Sequence, residues 1–102
     1  MTSLVKVCEL NELPPGAIKT LIVGGRQVMV VNVDGEIHAL DSTCTHEEAD
    51  LSTGFLSGKE ITCPLHFSVF DLTTGEAISP PAELPLQRYK VRIEGSAIFV
   101  EG

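Results

Sequence analysis

An all-β sandwich or barrel is the fold class the sequence predicts, on three observations. Runs of alternating or β-branched residues recur along the chain, and glycine-containing turn pairs separate several of them. No segment carries apolar residues at helical spacing over ten or more positions. At 102 residues the chain can build one modest core and not two, so it is read as one domain.

The elements follow in chain order. Leu4 to Leu10 alternates as a strand, and Ala17–Val23 and Gln27–Val33 form a hairpin across Gly24-Gly25. Asp34-Gly35 turns the chain into Glu36–Leu40. Near the other end, Gly95-Ser96 joins Gln87–Glu94 to Ala97–Glu101. Between Arg88 and Ile93, the residues Tyr89, Val91 and Ile93 share one strand face, expected in the core, and Arg88, Lys90 and Arg92 share the solvated one. Between Ser42 and Thr74 the texture changes to turn formers and acids around Cys and His residues. Residues 43–74 are therefore expected to form an inserted functional subdomain on a base built from 1–42 and 75–102. Pro80-Pro81 and Pro85 read as a stiff connection back to the last strands.

Composition narrows the function. Fourteen acidic residues against seven basic ones give a net charge of −7, which disfavours a nucleic-acid partner. No apolar run nears the roughly 20 residues that span a bilayer, and Met1–Lys6 has no apolar leader core; the expectation is a cytoplasmic protein with no membrane partner. Three cysteines cannot pair completely, so metal chemistry is favoured over a disulfide framework. Cys8, with no second ligand nearby, is read as a packing residue, and His38 as a structural residue of its strand.

Cys44-Thr45-His46 and Cys63-Pro64-Leu65-His66 stand on either side of residues 47–62. Thiolate and imidazole are both metal ligands, and two loops that each offer one of each can converge on one centre. Two Cys and two His also suit a structural zinc site, although zinc fingers usually pair Cys with Cys and His with His. Metal binding by Cys44, His46, Cys63 and His66 is the firm reading.

At these residues the chain resembles the Rieske ferredoxins, marked by Cys-x-His and Cys-Pro-x-His loops. The likeness extends to Leu51-Ser52-x-Gly54, Gly58, Phe70-Asp71 and Thr74-Gly75-Glu76. The resemblance implies the Rieske fold, an antiparallel β-sandwich or barrel base with an inserted cluster-binding subdomain. It also implies one [2Fe–2S] cluster, with Cys44 and Cys63 on one iron and His46 and His66 on the other. Exchanging two thiolates for neutral imidazoles brings the formal charge from about −2 to about zero, which eases reduction. The outer nitrogens of both His residues are expected at the surface.

Departures from the family pattern refine this. Glu48 and Leu65 stand where respiratory members carry a disulfide. Ser68 and Phe70 stand where those members carry a Ser and a Tyr that donate to cluster sulfurs. Half of that donor set is kept, so the potential is expected in the lower part of the roughly −150 to +300 mV Rieske range. The chain thus looks like the ferredoxin component of a bacterial multicomponent dioxygenase. Such a component is a monomeric carrier, not an enzyme, passing electrons from a flavoprotein NAD(P)H reductase to a terminal aromatic-ring oxygenase. The alternatives are a small Rieske-like nitrite reductase subunit and the zinc module. Leu65 and Phe67 beside His66, and Glu47, Glu48 and Asp50 after His46, suggest an apolar tip. Its acidic rim either steers docking or only solubilises the loop.

Overall fold

The computed structural model describes residues 4–43, 50–64, 67–79 and 84–101. Its strands are β1 (Leu4–Glu9), β2 (Ile18–Val23), β3 (Arg26–Val33), β4 (Glu36–Asp41) and β5 (Phe55–Ser57), then β6 (Glu60–Thr62), β7 (Val69–Asp71), β8 (Ala77–Ser79), β9 (Arg88–Glu94) and β10 (Ala97–Glu101). Single 3-10 turns at Leu10–Glu12 and Leu51–Thr53 are the only helical geometry among the described residues. The first ends β1 one residue earlier than the alternation suggests, because Glu12 folds back and its Oε1 accepts the Glu9 amide at 2.9 Å.

Turn chemistry sets the hairpins. Gly24 and Gly25 both have positive φ, 58° and 81°, which lets a two-residue turn match the strand twist. The β2–β3 ladder then runs without interruption from Ile18 opposite Val31 to Val23 opposite Arg26. Asp34 repeats the device between β3 and β4, with Asn32 Oδ1 accepting the Gly35 amide at 2.8 Å.

Two sheets result. The larger has the order β1-β10-β9-β4-β3-β2, and it curls until β1 approaches β2, giving a nearly closed barrel. Its inner face gathers Cys8, Leu13, Val23, Val28, Val30, Ala39, Ile98 and Val100 into one apolar cluster, where Cys8 packs as expected. The smaller sheet has the order β5-β6-β7-β8 and lies on the outside of β3 and β4. There Met29, Val31, Val33 and Leu40 meet Leu51, Ile61, Cys63, Phe70, Leu72 and Leu86 in a second cluster. β3 is therefore buried on both faces from Val28 to Val33, which is why Val28–Val31 reads as an unbroken apolar run rather than an alternating one, and the buried Asn32 is satisfied by the Leu13 carbonyl and the Gly35 amide. Asp71–Gly75 turns the chain so that β8 pairs with β7, and the small sheet continues to Ser79, past residue 74.

The two halves of the barrel meet through only two strand pairs, Ala39 with Tyr89 and Leu40 with Arg88, extended by the Asp41 amide donating to the Gln87 carbonyl at 2.9 Å. Side chains brace this seam: Arg26 Nη2 and the Tyr89 hydroxyl donate to the two oxygens of Asp41 at 2.5 and 2.6 Å. On β9, Tyr89 and Val91 pack against the inner cluster, but Ile93 is 44% exposed, against expectation. β4 has parted from β9 by that point, so no facing strand covers it.

Candidate metal centre

The second expected ligand loop is the β6–β7 connection. The ladder ends at Thr62 opposite Val69, and one further rung forms where the Cys63 amide donates to the Ser68 carbonyl at 2.7 Å. The Phe67 amide returns to the Cys63 carbonyl at 3.1 Å, closing the neck of the loop. Phe67 has a φ of 59°, a left-handed conformation that costs a non-glycine residue about 1–2 kcal/mol. Its ring remains 63% exposed. Cys63 is 1% exposed and belongs to the cluster between the sheets with Ile61, Phe70 and Leu72. It forms no disulfide. Ser68 is fully buried behind it. Leu65 and His66 lie outside the described residues.

The first loop is necked just as tightly. Thr43 and Asp50 form an antiparallel bridge, and the Ser42 carbonyl accepts the Leu51 amide at 2.6 Å. Cys44 and His46, with Glu47 and Glu48, fall between these closures and lie outside the described residues. Asp50 has work of its own. Its carboxylate accepts from the Ser52 amide at 3.0 Å and the Ser52 hydroxyl at 2.6 Å, with Gln27 Nε2 at 3.4 Å. Its charge thus caps the Leu51–Thr53 turn, which the sequence reading of an acidic rim did not foresee.

Gly54 locks the two necks together. A Cβ there would sit 2.2 Å from the Thr62 carbonyl oxygen, so only glycine lets the chain leaving the first loop lie against the strand leading into the second. Leu51 and Cys63 accordingly share one core. Among the described residues no three metal-binding side chains gather, since three of the four expected ligands stand at positions 44, 46 and 66. The one that is described suits a metal. A thiolate in an apolar setting needs a cation beside it, and Cys63 is a buried thiol at the mouth of a loop with no sulfur partner. The donor set of two thiols and two imidazoles fits a mixed-ligand diiron cluster chemically.

The brace at the seam escaped the sequence reading. Asp41 immediately precedes the first loop's neck and is 8% exposed. Burial, reinforced by the neighbouring Asp41 carboxylate, pushes the Tyr89 phenol up to about 12, so it stays a protonated donor at any ordinary pH. Arg26, Asp41 and Tyr89 stand far apart in the chain and carry no motif. His38, the remaining histidine, sits with Nε2 3.5 Å from the Glu36 carboxylate on its own strand.

No helix among the described residues is long and apolar enough to cross a membrane. The family model for the Rieske [2Fe-2S] domain matches residues 3–90. The ferredoxin component of a naphthalene 1,2-dioxygenase system from Pseudomonas aeruginosa is 41% identical over 92 residues, covering 90% of this chain and 88% of that protein. In a solved complex of reduced oxygenase and oxidized ferredoxin in carbazole 1,9a-dioxygenase, one chain superposes with a TM-score of 0.93. It is 35% identical and covers 97% of this chain and 93% of its own. A putative NADH-dependent nitrite reductase small subunit from Mycobacterium tuberculosis shares the fold alone, with a TM-score of 0.87 at 22% identity, covering 100% of this chain and 96% of that one. With its two necked loops on an all-β base, the chain belongs to the Rieske [2Fe-2S] domain family, whose members carry one [2Fe–2S] cluster.

Proposed function

We propose that Cys44, His46, Cys63 and His66 hold the cluster and that the chain shuttles single electrons in the cytoplasm. The donor is a flavin-dependent NAD(P)H reductase, and the acceptor is the terminal oxygenase of an aromatic-ring-hydroxylating system. The carrying observation is the paired neck. The first loop opens directly after Thr43 and the second directly at Cys63, and both spring from one core. The relatives named as ferredoxin components of dioxygenase systems, and the oxygenase bound in the carbazole complex, support the choice of partner. The cluster supplies one-electron redox chemistry when bound, at a potential raised by its imidazole ligands.

The rest of the work falls to the polypeptide. Cys63 presents its sulfur from inside the core, so that water is excluded from the thiolate side. Pro64 stiffens the chain leading to His66, and Phe67, next in sequence, keeps an exposed apolar ring, suited to brief docking. Substrate need not touch this component.

Iron and acid-labile sulfide analysis of the purified chain tests the assignment, together with electron paramagnetic resonance of the reduced form. Two irons and two sulfides per chain are expected, falling sharply in each of Cys44→Ser, His46→Ala, Cys63→Ser and His66→Ala. A colourless, zinc-loaded protein would instead establish the structural zinc module. Reconstituted electron flow from a flavoprotein reductase to a ring-hydroxylating oxygenase tests the partners.

A further inference from the structure

Ser42 is fully buried at the neck of the first loop, and among the described residues its hydroxyl has no hydrogen-bond partner. Its backbone is satisfied on both sides, the amide donating to the Gln27 carbonyl at 3.0 Å and the carbonyl accepting from Leu51 at 2.6 Å. Leaving a buried hydroxyl unpaired costs about 1–3 kcal/mol, so native proteins rarely do so. Two other buried side-chain atoms among the described residues also lack a hydrogen bond, Glu9 Oε2 and His38 Nε2. Each of those has an oppositely charged or chargeable neighbour, Lys6 at 3.3 Å and Glu36 at 3.5 Å. Among the described residues no ion pair involves Ser42.

The direction of the hydroxyl follows from the pleat. Leu40 faces the core between the two sheets, and Asp41 turns the other way to meet Tyr89. Side chains alternate, so Ser42 returns to the Leu40 side, where Leu51 and Cys63 are packed. It stands two residues before Cys44 in the chain. Its orphaned proton therefore lies on the face that carries the described ligand, at the base of the loop that carries another.

We propose that Ser42 Oγ donates a hydrogen bond to a sulfur of the [2Fe–2S] cluster and thereby raises its reduction potential. The inference rests on the ligand assignment proposed above. A donor to sulfur favours the reduced cluster, because the added electron makes that acceptor more negative. No proton is transferred, and the step remains a one-electron exchange.

Redox titration of the iron-loaded chain tests this. Ser42→Ala is expected to lower the ratio of reduced to oxidised protein about tenfold at a fixed ambient potential, equivalent to a shift of about −59 mV for one electron. Proton hyperfine spectra of the reduced protein in H2O and D2O should show one exchangeable coupling fewer in the variant. Ser42→Thr keeps the donor and should keep the parental potential. If Ser42→Ala does not take up iron, Ser42→Gly removes the same hydroxyl and serves in its place. An unchanged potential in the iron-loaded hydroxyl-free variant overturns the proposal, as does a Thr variant that falls as far as Ala. Parental protein lacking iron and labile sulfide would overturn the ligand assignment itself, a failure distinct from that of Ser42.

Discussion

Phe67 bears two opposed demands. Its φ of 59° is one that an L-residue avoids, yet its ring is largely exposed and contributes little to the core. A structural purpose would have been served better by glycine, so the exposed ring has a reason outside folding. Phe67→Gly should relieve about 1–2 kcal/mol of backbone strain against about 0.4–1 kcal/mol of added chain entropy in the unfolded state. The variant should unfold in urea at an equal or slightly higher midpoint. Electron transfer to an oxygenase should slow about fivefold, matching the loss of about 1 kcal/mol of aromatic docking contact. A marked fall in stability would show that the ring is needed for the fold. Beside it, Ser68 is fully buried, where the family resemblance expects a sulfur-directed hydroxyl. Ser68→Ala should lower the potential by up to about 59 mV, the one-electron equivalent of a tenfold change. An unchanged potential would mean that this hydroxyl does not bond to sulfur.

Among the elements, the shortest ladder of the larger sheet is that between β4 and β9, and the Asp41 brace compensates for its shortness. Tyr89 donates to a carboxylate that Arg26 already holds, and its phenol is raised to about 12 from an ordinary value near 10. A raised folded-state value means that the protonated form is favoured by folding. Its stabilising contribution is thus complete below about pH 10 and is lost as pH climbs through about 12. Tyr89→Phe should cost about 1.5–3 kcal/mol at neutral pH, the worth of a hydrogen bond to a charged group. It should also flatten the alkaline decline of the urea midpoint between pH 10 and 12; parallel declines in parent and variant would contradict the assignment. This brace was invisible in the sequence because its members lie on three strands that only the fold brings together. The hairpins were legible because Gly24-Gly25, Asp34-Gly35 and Gly95-Ser96 are local signals. Ile93 was misplaced because alternation reports which way a side chain points, not whether a neighbouring strand extends far enough to cover it. At the centre itself, residue type and spacing made Cys63 legible as a ligand candidate. The unpaired hydroxyl of Ser42 carried no signal until the pleat of β4 was known.

For the molecule as a whole, electrostatics governs encounter more than fold. The chain carries a net charge of −7, and three of its seven basic residues stand together on the exposed face of β9. The rest of the surface is therefore more acidic than the total conveys. Capping by neutral amide and hydroxyl donors does not cancel the charge of Asp50, so it adds to the acidity of Glu47 and Glu48, and steering draws on the field of the whole protein as well. Such a field accelerates association with a basic docking surface at low salt and fades once the screening length shrinks from about 30 Å at 0.01 M to about 3 Å at 1 M. The second-order rate of electron transfer to the oxygenase should consequently drop about tenfold or more over that range. Glu47→Gln with Glu48→Gln should remove only part of the dependence. The electron-transfer rate within the preformed complex should not change, because salt acts on approach and not on the docked pair. Stopped-flow reduction of the oxygenase at several salt concentrations separates the two quantities, and a second-order rate indifferent to salt would rule out electrostatic guidance.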